Sequence, residues 1–146
     1  MVDIILANEG NMKEILEIEQ ASFPIPWLEG SLLSMIDRDD VFFSVAMHEN
    51  SVVGFYIAYM ADGEGELYQI AVREEFRGRG IADVLMMDMR KCAKSQGIKE
   101  MFLEVRAGNF AAISLYEKHG FISLGIRKGY YNSPIEDAIV MQCEFF

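Results

Sequence analysis

The chain has 146 residues, 51% of them hydrophobic and 25% charged, with 13 basic against 23 acidic side chains and a net charge of −10. That length and composition suit a single globular domain enclosing one sizeable core, and argue against a disordered chain, a collagen-like repeat and a disulfide scaffold. Nucleic-acid binding draws on surplus Lys and Arg, so the acidic balance argues against direct nucleic-acid contact and favours a basic partner.

The amino end reads as a short strand over Asp3–Ala7. Asn11 follows as a helix N-cap, with Glu14 at capping-box spacing. Ile15, Leu16, Ile18 and Glu19 begin a helix that Pro24 and Pro26 end, because proline lacks the N–H and restrains its predecessor. A second short helix is predicted over Leu28–Ile36, and Asp37–Asp40 is a polar break. The β-branched and aromatic runs Val41–His48, Val52–Ala61 and Glu66–Arg73, joined by the turns Glu49–Ser51 and Asp62–Gly65, form an antiparallel meander. Gly80–Gln96 is helical, with Ile81, Val84, Leu85, Met89 and Cys92 as its apolar stripe and Gly97 past its end. Lys99–Arg106 alternates as a strand, Asn109–His119 is a helix closed by Gly120, and Phe121–Lys128 and Glu136–Phe145 are final strands linked by Gly129–Pro134. The order is β-α-α-β-β-β-α-β-α-β-β. A helix between the fourth and fifth strands implies one parallel crossover in an otherwise antiparallel sheet, a mixed α/β architecture.

Neither Cys92 nor Cys143 belongs to a CxxC pair, and no Cys/His cluster has zinc spacing, so both read as small buried residues and no metal is expected. The amino end lacks a basic segment followed by an apolar run, and no apolar stretch reaches the ~18 residues of a membrane span. The expectation is a cytoplasmic protein with no membrane contact.

Two stretches carry chemistry. In the first, a strand ends at Arg73 and the segment Arg77-Gly78-Arg79-Gly80-Ile81-Ala82 leads into the long helix. Backbone N–H groups at a helix start, two glycines and two arginines point to a diphosphate site; on the glycines alone, a solvated turn reads as well. Neither the Walker pattern nor the GxGxxG fingerprint is present. In the second, Phe102, Glu104 and Arg106 share one strand face. Glu104 is either a base or one half of a sheet-face ion pair. Asn109 reads as an N-cap, and Tyr116 as a core tyrosine with its hydroxyl at the rim.

Together these stretches resemble the GNAT superfamily of N-acetyltransferases, whose Q/R-x-x-G-x-G/A signature stands here as Arg77 to Ala82. Within it, LEVRAGNFAAISLYEKHGF, the FPIPW segment and the tail RKGYYNSPIEDAIVM look like the ribosomal-protein-alanine N-acetyltransferases. The resemblance implies a mostly antiparallel seven-stranded sheet with a splayed parallel pair, flanked by four helices. It implies direct acetyl transfer from acetyl-CoA to the N-terminal amine of a protein, such as a basic ribosomal-protein tail. In that reading Glu104 is the general base and Tyr116 the general acid. Ile70, Ala71 and Val72 pair with the pantetheine and offer N–H groups to the oxyanion, through a local bulge. Arg77, Gly78, Arg79, Gly80, Ile81 and Ala82 hold the diphosphate, and Asn109 contacts the pantetheine arm. Phe23, Pro24, Pro26 and Trp27, with Tyr130 and Tyr131 opposite, would wall the acceptor groove. The chain departs from the family pattern at Asp83, where a basic or polar residue is common, and at Gly108, where serine is commoner. Alternatives are the same fold acting on a small amine or a lysine side chain, and an acetyl-CoA-binding module without turnover.

Overall fold

The computed structural model describes residues 1–145 of the chain. Its elements are β1 (Asp3–Leu6), α1 (Met12–Ser22), α2 (Glu29–Ile36), β2 (Val41–His48), β3 (Ser51–Ala61), β4 (Glu64–Val72), α3 (Ile81–Ser95), β5 (Glu100–Arg106), α4 (Phe110–Lys118), β6 (Ile122–Tyr131) and β7 (Glu136–Glu144). Single 3₁₀ turns lie at Glu9–Asn11 and Glu74–Phe76. The seven strands make one sheet in the order β1-β2-β3-β4-β5-β7-β6. Every neighbouring pair is antiparallel except β4 and β5, which are parallel and joined through α3, as expected for a mixed α/β fold.

Turn chemistry sets the meander. Glu49 and Asn50 have φ of 49° and 66°, and Asp62 and Gly63 have 54° and 82°. Two consecutive left-handed residues match the right-handed twist of the flanking strands. The second hairpin is tighter than the sequence suggests, so β4 begins at Glu64 and not at Glu66.

Helices cover both faces of the sheet. Met12, Ile15 and Ile18 of α1 and Leu32 of α2 pack with Phe43, Phe55 and Ile57. On the opposite face Ile81, Leu85, Met86, Met89 and Ala93 of α3 and Tyr116 of α4 pack with Tyr56, Met101, Leu103 and Met141. A central strand covered on both sides has no polar face to keep, and every residue of β3 from Val52 to Ala58 is buried. Each fully buried Leu or Met contributes about 1.5–3 kcal/mol.

Several sequence expectations need correction. The buried stripe of α3 includes Met86 and excludes Val84, which is 39% exposed. Cys143 is buried, but Cys92 is only half-buried, with its thiol 3.8 Å from Asp88 Oδ2 and from the Tyr56 hydroxyl. The Asn11 side chain reaches backward to accept the Asn8 N–H at 2.9 Å, and Glu14 accepts the Val52 N–H at 3.1 Å, so no capping box joins Asn11 to Glu14. Gly129, Tyr130 and Tyr131 belong to β6, which leaves a shorter turn before β7.

Gly54 shows how closely α3 lies on the sheet. A Cβ there would sit 2.9 Å from the Ala71 carbonyl oxygen and 3.2 Å from Leu85 Cδ1. Gly54→Ala is expected to destabilise the protein by about 1–3 kcal/mol, read as a lower urea midpoint at unchanged slope.

Candidate active site

The site begins where β4 and β5 part. Their parallel pairing covers Glu64↔Glu100, Gly65↔Met101 and Glu66↔Phe102, and stops there. β4 continues to Val72 along β3, while β5 continues to Arg106 along β7. The edge of β4 beyond Glu66 therefore has no strand beside it on the β5 side, and a V opens between the two strands. β4 also carries a bulge: Ile57 faces Gln69 and Ala58 faces Leu67, leaving Tyr68 as the extra residue. The bulge thus lies just before Ile70, Ala71 and Val72 and not within them. A bulge bends its strand and increases the local twist, which turns β4 away from β5.

The glycine loop follows the open edge. Gly78 and Gly80 have φ of 76° and 81°, a region that strains any residue with a side chain. A Cβ on either would meet nothing within 4 Å, so these glycines are required by backbone conformation and not by crowding. Gly80 is the N-cap of the 15-residue α3. The first N–H groups of such a helix lack intrahelical partners, which makes this end a seat for an anion. The arginines brace the loop as well as charging it: Arg77 Nε donates to the Val72 carbonyl at 3.0 Å, and the Arg79 guanidinium lies 4.9 Å from the Phe76 ring centroid.

Asp83, in the first turn of α3, is engaged by the end of α4. Its Oδ1 lies 2.7 Å from His119 Nε2 and 3.1 Å from Lys118 Nζ, tying the start of α3 to the end of α4. The His119 and Lys118 hydrogen bonds hold the Asp83 carboxyl below its ordinary value.

Glu104 stands on the β5 wall of the V, on the sheet face where α1 and α2 lie and opposite to Leu103 and Val105, which join the α3 side. It does not pair with Arg106, which instead meets Glu136 at 3.3 Å and the carbonyls of Asn132 and Pro134. Its partners come from β6: the Tyr130 hydroxyl lies 3.5 Å from Oε1, and Arg127 Nε lies 3.3 Å from Oε2. The Arg127 contact is an ion pair without hydrogen-bond geometry, so Oε2 is buried and accepts no hydrogen bond among the described residues. Glu66, at the last paired row, faces the same groove; burial and then the charge of Glu104 raise its carboxyl above the ordinary value. Sequence reasoning did not single out Arg127 for this site, and counted Glu66 only within a general acidic surplus.

Tyr116 lies on the opposite side of the sheet, 9% exposed, with its ring 6.0 Å from that of Phe121. Burial and nearby Tyr131 push its phenol well up, so it is protonated at neutral pH. Asn109 caps α4 through Oδ1, which accepts the Ala112 N–H at 3.2 Å and leaves the amide N–H groups free of that bond. Gly108 has a local reason. Its N–H donates to Glu136 Oε2 at 2.6 Å, and a Cβ there would lie 2.6 Å from that same oxygen.

Two aromatic pairs lie on the elements near the V. Trp27 packs on Tyr68 with ring centroids 6.0 Å apart, and Tyr130 meets Tyr131 edge-on at 5.1 Å. His48 lies elsewhere, its Nδ1 3.2 Å from the Met1 carbonyl oxygen and its ring beside Phe76. Among the described residues no group of His, Cys, Asp and Glu has a metal-binding arrangement, and no helix is long and apolar enough to cross a membrane.

The Asp83 brace is testable by pH. A carboxyl held below its unfolded value adds stability above that value and loses it as pH falls through the folded one. The melting-temperature gap between the parent and Asp83→Asn is expected to be full above about pH 4 and to close below it.

Comparison with known proteins agrees with this geometry. The model of the Acetyltransferase (GNAT) family matches residues 12–121. The ribosomal protein bS18-alanine N-acetyltransferase of Haemophilus influenzae is 33% identical over 137 residues, covering 91% of this chain and 92% of that one. The N-alpha-acetyltransferase of Saccharolobus solfataricus is 32% identical over 148 residues, covering 92% and 88%. The crystal structure of the ribosomal-protein-S18-alanine N-acetyltransferase from Escherichia coli superposes with a TM-score of 0.91 at 29% identity, covering 99% of this chain and 94% of that one. The splayed strand pair, the glycine loop at the head of α3 and these matches along most of the chain converge: the protein is an acyltransferase and belongs to the GNAT family of acetyltransferases.

Proposed function

We propose that the protein transfers the acetyl group of acetyl-CoA to the N-terminal α-amine of a protein, with the N-terminal alanine of a ribosomal protein as acceptor. The observation that carries this reading is the V between β4 and β5, with an anion seat at its end and Glu104 on its wall. The residues present suit acetyl-CoA as cosubstrate. The open edge of β4 at Ile70, Ala71 and Val72 offers backbone groups to pantetheine amides. The amides of Arg77 to Ala82 offer donors to a diphosphate, and the Asn109 amide can donate to the pantetheine arm.

Direct transfer in a ternary complex needs three services from the chain. An α-amine has a pKa of about 7.7–8.0, so a base must take its proton at neutral pH. In this reading Glu104 takes that proton, directly or through one water; its position on the wall of the V, with Oε2 accepting no hydrogen bond and only the Arg127 ion pair beside it, supports the role. As the C–N bond forms, N–H groups of Ile70 to Val72 stabilise the developing oxyanion. As the C–S bond breaks, the sulfur takes the proton of the Tyr116 phenol. A phenol whose ionisation is pushed up by burial is in the form a general acid requires.

The acceptor side supports a peptide. In this reading Phe23, Pro24, Pro26 and Trp27 wall one side of the acceptor groove and Tyr130 and Tyr131 the other, and the net charge of −10 favours a basic tail. Relatives with 33% and 31% identity bear the name bS18-alanine N-acetyltransferase. A cytoplasmic site of action follows from that substrate.

The test is incubation with acetyl-CoA and a basic peptide beginning Ala-Arg, following thiol release and peptide mass. One acetyl group on the N-terminal amine is expected, with Glu104→Gln and Tyr116→Phe each lowering kcat/KM by about 10²–10⁴. Acetylation of polyamines or lysine side chains with the peptide untouched overturns the acceptor assignment.

A further inference from the structure

Glu19 is a carboxylate on the apolar stripe of α1, beside Ile15 and Ile18, and it is 0% exposed. Burying an ionised carboxylate costs several kcal/mol unless a cation or several donors compensate. No cation contacts it among the described residues. Both of its hydrogen-bond donors are neutral: Oε2 accepts the Trp27 backbone N–H at 2.9 Å and the Gln69 side-chain amide at 2.9 Å. Oε1 accepts nothing, and the Gln69 Oε1 atom is likewise buried without a partner.

The three groups joined at this carboxylate belong to different parts of the site. Trp27 ends the Phe23–Trp27 segment, which walls the acceptor groove in the proposed function. Gln69 follows the bulge residue Tyr68 in β4, immediately before Ile70. Glu19 also closes the other end of the acceptor segment, because its backbone carbonyl accepts the Phe23 N–H at 3.2 Å. One residue thus fastens both ends of a five-residue segment and ties it to the bulge, while the Trp27 ring rests on Tyr68. β4 needs no such tie, since β3 pairs with it through Gly54↔Val72. The acceptor segment is the part whose position depends on Glu19.

We propose that Glu19 is a positioning residue that sets the Phe23–Trp27 segment against the bulged part of β4, acting through hydrogen bonds and not through charge. The proposal rests on the acceptor reading above for its kinetic consequence, but its structural part stands alone. A neutral carboxyl brings an O–H donor to a place where Glu19 Oε1 and Gln69 Oε1 are both buried without a partner, whereas an ionised one brings only a further acceptor. Burial raises the Glu19 carboxyl above its ordinary value, in agreement with the neutral form.

The experiment compares Glu19→Gln and Glu19→Ala in the full chain, and Trp27 is the single tryptophan that reports on the segment. Glutamine can accept from Trp27 and donate to Gln69. It is expected to keep the Trp27 emission maximum, and to keep the acceptor-peptide KM within about twofold, as rescue by a hydrogen-bonding isostere requires. Alanine is expected to shift Trp27 emission to longer wavelength. It is also expected to raise the peptide KM about tenfold while the acetyl-CoA dissociation constant stays within about threefold. A glutamine variant as impaired as alanine overturns the neutral tie. If the alanine variant keeps Trp27 emission and peptide KM, or loses acetyl-CoA and peptide affinity alike, the positioning role is wrong. Should alanine abolish folding, the glutamine variant alone decides by the same two readouts. If the parent acetylates no peptide, the peptide assignment fails while the Trp27 spectra still decide the role of Glu19.

Discussion

Everything at this site depends on the parallel contact between β4 and β5 ending after three rows. Had the pairing continued, the backbone edge of β4 would be consumed by its neighbour and Glu104 would face a closed sheet. The short contact is sustainable because each strand has another partner. β4 is held by β3 through Val72, and β5 by β7 through Arg106. The bulge at Tyr68 bends β4 away, and α3 begins beside the end it leaves open. A dipole-bearing helix start and a strand edge short of hydrogen bonds thus come from one departure in the sheet.

The same departure separates two kinds of chemistry. On one side lie the glycine loop, the start of α3 and the buried Tyr116. On the other lie Glu104, Glu66 and the aromatic walls of the proposed groove. The proposed base and the proposed acid therefore sit on different sides of the sheet and do not compete for the same surroundings. The Tyr116 phenol is kept protonated by the packing of α4, while Glu104 is approached by side chains from β6.

The order of elements was legible in the sequence because it is written in local signals: paired left-handed residues at the hairpins, glycine at helix ends and proline after α1. The glycine loop was legible for the same reason, although the conformational need for Gly78 and Gly80 required their φ angles. Contacts that join distant segments were not legible. The bulge lies at Tyr68 because of how β3 and β4 register, which no local pattern states. Glu104 invites pairing with Arg106 on its own strand, yet Arg127 arrives from β6 and Arg106 turns to Glu136. Gly129 read as the start of a turn, while pairing with β7 carries the strand on to Tyr131. Glu19 counted as part of a helical stripe, and only tertiary structure explains a carboxylate there.

β6 is an edge strand, and from Ile122 to Tyr130 every residue is exposed. It nonetheless supplies Arg127 and Tyr130 to Glu104, and Tyr131 to the wall of the proposed acceptor groove. Substitution at exposed positions usually changes stability by no more than about 0.5 kcal/mol, whereas changes in a packed core cost several times that. The wall facing the acceptor can therefore drift in sequence at little risk to the fold, while Tyr116 and the α3 face are fenced by packing. On the proposed reading, acceptor preference can change at exposed positions without disturbing the packed side that carries the cofactor loop.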